Sequence, residues 1–340
     1  MTTQSKLEPA SAKGLVNEFA LIDKYFAPLA GEGAFDLKDD AALLKPRPGH
    51  ELVISQDAIH QGVHFFDDTP LDLVARRAIR CNISDIIAKG ATPVSYSLAL
   101  GLPSHVTESA VALLAKGLQE DQGFYDIHLS GGDTYASGSR LTLAVTMLGE
   151  VPTGGYVSRL SAQLGDAICV TGCIGDAHLG LTAQLKGLDT ASSPHLAILR
   201  QRQELPEPPF DIQSVIRKFA NAAMDVSDGF VGDLRKLCDA SKLSVRIEFD
   251  DVPISKDAAM AIDAGLFTPA DRIAMLTGGD DYQTLFTLPP DRFEPARNAA
   301  AKLGITVTKV GEMNAKSAGE VVVVRSGVPM SIEHDSYVHF

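Results

Sequence analysis

A group of turn-forming residues, Pro152-Thr-Gly-Gly155, interrupts the strand and helix patterns near the middle of the chain. Prolines and paired glycines are the strongest local signals for a break between structural elements. One hydrophobic core rarely extends beyond about 250–300 residues. A chain of 340 residues therefore favours two domains. We predict an N-terminal domain at residues 1–150 and a C-terminal domain at residues 151–340.

Both halves mix helical and strand patterns, which predicts an α/β fold of the α+β kind with mixed sheets covered by helices. In the first half, apolar residues recur at helical spacing from Pro70 to Ala88, whereas Val94–Leu102 and Leu141–Gly149 have the pattern of strands. A strand at Ile127–Ser130 is expected to end at the paired glycines Gly131-Gly132. The second half alternates strands and helices in a similar way, which suggests a duplicated architecture.

The composition narrows the range of partners. The formal net charge is −13 at pH 7. The chain thus lacks the basic surface that nucleic acids and anionic membranes attract, and we expect neither as a partner. The first residues contain no apolar stretch typical of a secretory signal, and no run of about 18 apolar residues occurs. We therefore expect a cytoplasmic protein. An acidic protein can still bind phosphates if metal ions lie between the negative charges.

Acidic residues recur at the predicted ends of strands and helices. They occur in six short motifs, which are Lys38-Asp39-Asp40, Ser55-Gln56-Asp57, Asn82-Ile-Ser-Asp85, Gly131-Gly-Asp-Thr134, Asp225-Val-Ser-Asp228-Gly229 and Gly278-Gly-Asp-Asp-Tyr282. Each motif alone is typical of a solvated loop, a helix cap or a turn. Only their joint occurrence at the ends of elements indicates a shared site.

Carboxylates that converge from these loops would need cations between them. Two carboxylates about 4 Å apart repel by roughly 4 kcal/mol at an effective dielectric constant near 20. Magnesium binds carboxylate oxygens together with water and phosphate oxygens, and no Cys or His cluster accompanies the acids to favour zinc. The glycines of Gly131-Gly132 allow backbone N–H groups to approach phosphate oxygens. The pattern therefore predicts a magnesium-dependent phosphate site.

The signatures of the common nucleotide-binding and hydrolytic folds do not occur in the sequence. It contains no G-x-x-x-x-G-K-[ST] phosphate loop, no G-x-G-x-x-G fingerprint, no G-x-S-x-G elbow and no H-E-x-x-H motif. If the chain binds a nucleotide, it does so through a less common arrangement.

The order of the acidic motifs resembles the thiamine-monophosphate kinase family, within the superfamily of aminoimidazole-ribonucleotide synthetase. The resemblance runs from about Asp23 to Phe340 and also includes Gly62-Val-His-Phe65, Lys89-Gly-Ala-x-Pro93 and Leu164-Gly-Asp166. It implies a two-domain fold like that of aminoimidazole-ribonucleotide synthetase and a homodimer joined through the N-terminal sheets. It also implies transfer of the γ-phosphoryl group of ATP to thiamine monophosphate.

The resemblance further implies roles for individual residues. Metal binding is implied for Asp40, Ser55, Gln56, Asp57, Asp85, Asp133, Asp225 and Asp228. ATP binding is implied for Gly132, Asp133, Arg159 and Ser227, and substrate binding for His64, Asp280 and His334. The expected catalytic set, which would hold several Mg²⁺ ions between ATP and the acceptor phosphate, is Asp57, Asp85, Asp133 and Asp225. The family commonly has Thr, Glu and an aromatic residue at the positions of Gln56, Asp280 and His334. A requirement for K⁺ stays open.

Two other interpretations stay open at this point. Another ATP-dependent synthetase of the superfamily would phosphorylate a different acceptor with similar motifs. Selenophosphate synthetase is disfavoured because no Cys or glycine-rich segment precedes Asp39. A non-catalytic regulator could retain the fold and bind nucleotide or metal. Product formation, and the compound that stimulates ATP consumption, would distinguish these alternatives.

Overall fold

A computed structural model describes residues 17–190, 193–315, 319–332 and 336. In chain order, the strands are β1 (His50–His60), β2 (Thr92–Leu102), β3 (His128–Ala136), β4 (Thr142–Pro152), β5 (Ala167–Thr171), β6 (Ala222–Val226), β7 (Ser244–Glu248), β8 (Gln283–Leu288), β9 (Val307–Asn314), β10 (Val321–Arg325) and β11 (Val328–Pro329). The α-helices are α1 (Glu18–Leu21), α2 (Leu71–Ala88), α3 (Glu108–Tyr125), α4 (Asp176–Leu185), α5 (Pro194–Glu204), α6 (Gln213–Phe219), α7 (Phe230–Ser241), α8 (Lys256–Asp263), α9 (Pro269–Ala274) and α10 (Phe293–Ala301). His334, a predicted substrate contact, lies outside the described residues.

The N-terminal domain contains a four-stranded sheet in the order β1-β4-β2-β3. Strand β4 pairs antiparallel with β1 and β2, and β2 pairs parallel with β3. Helices α2 and α3 pack together, and α2 lies against β1, β2 and β4. Val145 and Leu98 on this face are buried, whereas Leu52 and Ile54 on the other face of β1 are 47% and 68% exposed. The sheet therefore has one covered face and one open face with apolar side chains.

The C-terminal domain contains a seven-stranded sheet in the order β11-β10-β7-β9-β5-β8-β6. Strands β10 and β7 pair in parallel, and the other neighbours pair antiparallel. Ile168 of β5 and Leu234 of α7 belong to one buried apolar cluster. A second cluster joins α4, α5 and α8 through Leu179, Leu199 and Ala258. Helices thus cover this sheet as they cover the inner face of the first.

Helix α2 connects the two domains. Arg80 Nη1 donates a hydrogen bond of 3.0 Å to the carbonyl oxygen of Pro206, and Lys89 Nζ, just after the helix, donates one of 2.7 Å to the carbonyl oxygen of Ala223. The buried apolar cluster of the N-terminal domain also continues into Phe286 of β8. The domain boundary is consequently a packed interface along α2, and four of the six acidic motifs meet there.

The predicted architecture of mixed sheets covered by helices is confirmed, and the helix predicted over residues 70–88 is α2. The predicted end of a strand at Gly131 is wrong, because β3 pairs with β2 through Gly131, Gly132 and Asp133. Tertiary pairing has overridden the local tendency of glycines to interrupt a strand. The division at residue 150 stays a prediction. Every helix in the described part of the chain is too short or too polar to pass through a lipid bilayer.

Candidate active site at the domain interface

Strand β1 and helix α2 bring Asp57 and Asp85 to the same face of the N-terminal sheet. Because side chains alternate along a strand, Ser55 and Asp57 face α2 while Gln56 between them points to the open face. Ser55 Oγ donates a short hydrogen bond to Asp85 Oδ2. Asn82 Oδ1, one helical turn before Asp85, accepts a hydrogen bond of 3.0 Å from the backbone N–H of Asp57. These bonds fix strand and helix together at the two carboxylates.

The C-terminal sheet contributes Asp225 to the same region. Asp225 lies in β6, is 7% exposed and accepts a hydrogen bond of 3.0 Å on Oδ2 from Ser84 Oγ of α2. Ser84 and Asp85 are adjacent in α2. Ser84 contacts Asp225 of the C-terminal domain, and Asp85 contacts Ser55 of the N-terminal domain. Asp57, Asp85 and Asp225 are therefore gathered around α2.

The turn that follows β6 is held by Asp233, in the first turn of α7. Asp233 Oδ2 accepts hydrogen bonds of 3.0 Å from the backbone N–H groups of Ser227 and Asp228. Lys236 Nζ lies 2.6 Å from Asp228 Oδ2 and 2.7 Å from Asp233 Oδ1. Sequence reasoning did not single out Asp233 or Lys236. An acid in the first turn of a helix, directly after an acidic turn motif, is the signal that could have identified Asp233.

Burial and neighbouring acids raise the pKa values of Asp57 and Asp225. Burial, followed by the charges of Asp85 and Asp228, raises the pKa of Asp57 from 3.8 to about 6. Burial, followed by the charges of Asp85 and Asp233, raises the pKa of Asp225 well above its usual value. The native fold therefore concentrates negative charge at a cost, and bound cations would remove that cost.

The loop before β8 presents Asp280 beside the same turn. Asp280 has a left-handed φ of 76°, and its backbone N–H donates a hydrogen bond of 2.8 Å to the carbonyl oxygen of Ser227. Arg77 Nη2 of α2 lies 2.6 Å from Asp280 Oδ1. Burial would lower the pKa of Arg77, but the carboxylate of Asp280 raises it above its usual value. Arg77 was not predicted from the sequence, although a basic residue on the buried side of an apolar helix requires a partner.

An interdomain cavity of about 590 Å³ collects several of these groups. Five residues singled out from the sequence line it, and they are Asp57, His64, Ser227, Asp228 and Asp280. The backbone N–H of His60 donates a hydrogen bond of 2.9 Å to His64 Nδ1 and so orients that ring. Ile59, Val63 and Leu181 add apolar surface to the cavity, and His178 adds an aromatic ring. The cavity thus combines carboxylates with surface suited to an organic ring.

A second group of predicted residues lies elsewhere. Asp40, Gly132 and Asp133 line a separate cavity of about 380 Å³ beside β3. A side chain at Gly132 would place its Cβ 1.9 Å from the carbonyl oxygen of Leu98, so the close pairing of β2 and β3 requires glycine there. Asp40 and Asp133 are exposed.

The two groups occupy opposite edges of the N-terminal sheet. The strand register runs from Asp57 through Val145 and Leu98 to Gly132, across β1, β4, β2 and β3 in turn. Three strand spacings, about 14 Å along the sheet, separate the ends of this row. Within one chain the structure therefore gathers the acids around α2 and keeps Asp133 apart from them.

Arg159 lies in the exposed loop between the two sheets. Its carbonyl oxygen accepts a hydrogen bond of 3.2 Å from Ser241 Oγ. Burial lowers the pKa of Lys89, the charges of Asp225 and Asp85 oppose this, and Arg159 adds to the lowering. Arg159 therefore lies near enough to act on the same region electrostatically.

Comparisons with known proteins agree with this architecture. The chain matches the family models of the N-terminal and C-terminal domains of AIR synthase related proteins, at residues 38–151 and 163–324. The curated thiamine-monophosphate kinase of Caulobacter vibrioides is 39% identical over 305 residues, covering 89% of this chain and 86% of that protein. The chain belongs to the thiamine-monophosphate kinase family.

Solved structures of similar proteins support the same family. A crystal structure of thiamine-monophosphate kinase from Stenotrophomonas maltophilia has 33% identity and a TM-score of 0.77, covering 86% of this chain and 91% of that one. A structure described as AaThiL complexed with AMPPCP and TMP has 29% identity and a TM-score of 0.76, covering 95% and 97%. The resemblance inferred from the order of the acidic motifs is confirmed.

The donor atoms fit the magnesium expected from the thiamine-monophosphate kinase resemblance. Among the described residues, no three His, Cys, Asp or Glu side chains form a complete metal cage. However, Asp85 and Asp228 lie close enough to Asp57 that their charges, after burial, raise its pKa. Mg²⁺ commonly binds one or two carboxylates and completes its shell with water and phosphate oxygens. The residues therefore suit magnesium that is shared between the protein and bound phosphates.

Proposed function

We propose that the chain transfers the γ-phosphoryl group of ATP to the phosphate of thiamine monophosphate, giving thiamine diphosphate and ADP. The observation that carries the proposal is the interdomain cavity, where Asp57 and Asp228 lie beside Ser227, His64 and Asp280. A relative with 29% identity is described in complex with AMPPCP, an ATP analogue, together with TMP. Family membership and an acidic cavity with an apolar wall both support this reaction.

The chemistry requires positioning and charge neutralisation more than proton transfer. The acceptor phosphate is already ionised near neutral pH, so no strong general base is needed to make it a nucleophile. Phosphoryl transfer depends largely on holding the anionic groups in line and stabilising their charge. Magnesium, when bound, would neutralise and orient the phosphates. We assign its binding to Asp57, Asp85 and Asp225, together with Asp228 and Asp133.

Each of the remaining assigned residues has a physical role in this scheme. The planar fork of Arg159 suits phosphate oxygens of ATP, and we assign the backbone of Gly132, which lines the cavity beside β3, to ATP as well. Ser227 would contact ATP from a turn that Asp233 holds through two hydrogen bonds. His64 and Asp280 would contact the acceptor.

A homodimer would complete the site. The open face of the N-terminal sheet exposes Leu52 and Ile54, and apolar side chains of this size are stabilised by burial against a partner. A twofold axis parallel to the strands would set β3 of one protomer, which carries Asp133, opposite β1 of its partner, the edge strand that carries Asp57. This arrangement is the reason we favour a dimer over a single-chain site.

We also propose a cytoplasmic location. All four cysteines are free thiols, which is typical of a reducing compartment. ATP and Mg²⁺ are both available there.

The test is product analysis with the purified chain, Mg²⁺, ATP and thiamine monophosphate. We expect thiamine diphosphate and ADP in equal amounts, and little ADP without the acceptor. Stimulation of ADP release by a purine-pathway ribonucleotide, with no thiamine diphosphate formed, would instead indicate another synthetase of the superfamily. ATP binding without any product would indicate a regulator.

A further inference from the structure

Arg77 is a buried cation that links α2 to two segments of the C-terminal domain. Its side chain is 2% exposed, and Nη2 lies 2.6 Å from Asp280 Oδ1. Its Nη1 donates a short hydrogen bond to the carbonyl oxygen of Gln203 in α5. Asp280 is 30% exposed and lines the interdomain cavity. One guanidinium thus joins the N-terminal domain to the carboxylate that faces the proposed acceptor.

Asp280 depends on this contact because its backbone is strained. Asp280 has a φ of 76° and Tyr282 a φ of 49°, both in the left-handed region that residues with a side chain rarely adopt. The other side-chain contact of the same carboxylate oxygen is long, since Tyr282 Oη lies 3.5 Å from Asp280 Oδ1. Removing the guanidinium would therefore free the carboxylate to rotate away from the cavity.

We propose that Arg77 is a positioning residue for acceptor binding. It holds one carboxylate oxygen of Asp280 and leaves the second to accept an N–H group from the nitrogen heterocycle of the acceptor. Arg77 acts through Asp280 and does not itself touch the phosphates, so it affects binding of the acceptor far more than binding of ATP. This inference rests on the proposed function.

Arg80 provides a matched control on the same helix. It lies one turn after Arg77, is 6% exposed and also bridges the domains, through the carbonyl oxygen of Pro206. Its carboxylate partner is Asp121 of α3, at 2.8 Å, which is buried and lines neither cavity described above. A purely structural effect of losing a buried arginine should therefore be similar for both residues.

The experiment compares KM for thiamine monophosphate and KM for ATP in Arg77→Met, Arg80→Met, Asp280→Asn and the double variant Arg77→Met/Asp280→Asn. We expect Arg77→Met to raise KM for thiamine monophosphate about tenfold or more, since a hydrogen bond to a charged group is lost. KM for ATP should change by less than about twofold in Arg77→Met. In Arg80→Met, KM for ATP and KM for thiamine monophosphate should both change by less than about twofold. The double variant should resemble Asp280→Asn alone, because the two changes remove the same contact. Arg77→Lys should restore part of the affinity.

The outcomes separate this inference from the proposed function. The positioning role would be overturned if Arg77→Met changed KM for ATP and KM for thiamine monophosphate equally, as Arg80→Met does. It would also be overturned if the effects of Arg77→Met and Asp280→Asn on KM for thiamine monophosphate were additive in the double variant. If Arg77→Met does not fold, Arg77→Gln is judged by the same ratio of KM values. Thiamine diphosphate production by the wild-type chain tests the proposed function alone. If the wild type makes no thiamine diphosphate, both the proposed function and the role of Arg77 are wrong. If the wild type is active but Arg77→Met does not raise KM for thiamine monophosphate selectively, only the role of Arg77 is wrong.

Discussion

The two acidic groups at opposite edges of the N-terminal sheet differ in how much of their surroundings the chain itself supplies. Asp85 lies in α2, and hydrogen bonds with side chains of α2 hold the backbone of Asp57 and the carboxylate of Asp225 beside it. Ser55 Oγ also bonds to Asp85, and Asp225 is almost fully buried. Asp40 and Asp133 lie exposed beside the edge strand β3. The first group is assembled by the packing of two domains. The second group has no such interdomain packing within one chain.

This difference shows which part of the site a single chain can organise. Where two domains pack along a helix, carboxylates can be held close together in spite of their repulsion. The raised pKa values of Asp57 and Asp225 result from burial first and from that repulsion second. At a sheet edge there is no second domain to do the same. In a dimer, the sheet of a partner packed on the open face would supply these missing contacts. Substitutions in the edge group therefore test the dimer more directly.

The largest effect is expected from removing one charge of the interdomain group. Asp57→Asn should lower kcat by about 100- to 1000-fold, the scale typical of losing one preorganised electrostatic contact in an active site. The measurement is steady-state formation of thiamine diphosphate at saturating ATP and acceptor. Asp68→Asn, an exposed acid on the loop that follows, lines neither cavity and should leave the rate near that of the wild type. Undiminished turnover of Asp57→Asn at limiting Mg²⁺ would refute the metal-binding role.

The next prediction tests whether the two groups act together across a dimer. Asp57→Asn and Asp133→Asn chains are each expected to be nearly inactive alone. After mixing, unfolding and refolding, random pairing makes half of the dimers mixed, and each has one intact site, so about a quarter of the wild-type activity should return. Refolding each variant separately is the control. If mixing restores nothing although mixed dimers form, Asp57 and Asp133 do not share a site between protomers.

The smallest effect concerns the stability of the metal-free protein. In the native state the pKa of Asp57 is about 6, above its unfolded value near 4, so the folded chain binds the extra proton between these values. Wild-type stability should therefore fall as pH rises from about 4 to about 6, whereas Asp57→Asn lacks this contribution. The Tm of Asp57→Asn minus that of the wild type should grow across this window by about 1–3 °C and then level off.

Differential scanning calorimetry in EDTA would measure this difference, and added Mg²⁺ should reduce it. Asp68→Asn serves again as the reference, with no change across the window. A difference that is constant with pH would mean that neither burial nor the neighbouring carboxylates raise the pKa of Asp57 in the native state.

Much of the fold follows from local patterns. The helical spacing of apolar residues locates α2. The acids at strand and helix ends predict one region for Asp57, Asp85, Asp133 and Asp225, but within one chain Asp133 lies apart from the other three. Arg77 could not be assigned a role, because its partner Asp280 is distant in sequence and the two meet only when the domains pack. Strand β3 continues through Gly132 because it pairs with β2, and this pairing cannot be predicted from the local sequence of β3. Sequence therefore indicates which groups carry charge, while packing decides which of them meet.

The anchoring of α2 at both domains has a consequence for turnover. Arg80 and Lys89 bond to backbone carbonyls of the C-terminal domain, and Arg217 of α6 bonds back to the carbonyl oxygen of Gly90. An enzyme that swung its domains apart in each cycle would have to break all three contacts every time. The three contacts therefore favour a fixed arrangement of the two domains. We expect reactants to enter and products to leave through the opening of a preformed pocket, without a hinge motion between the domains.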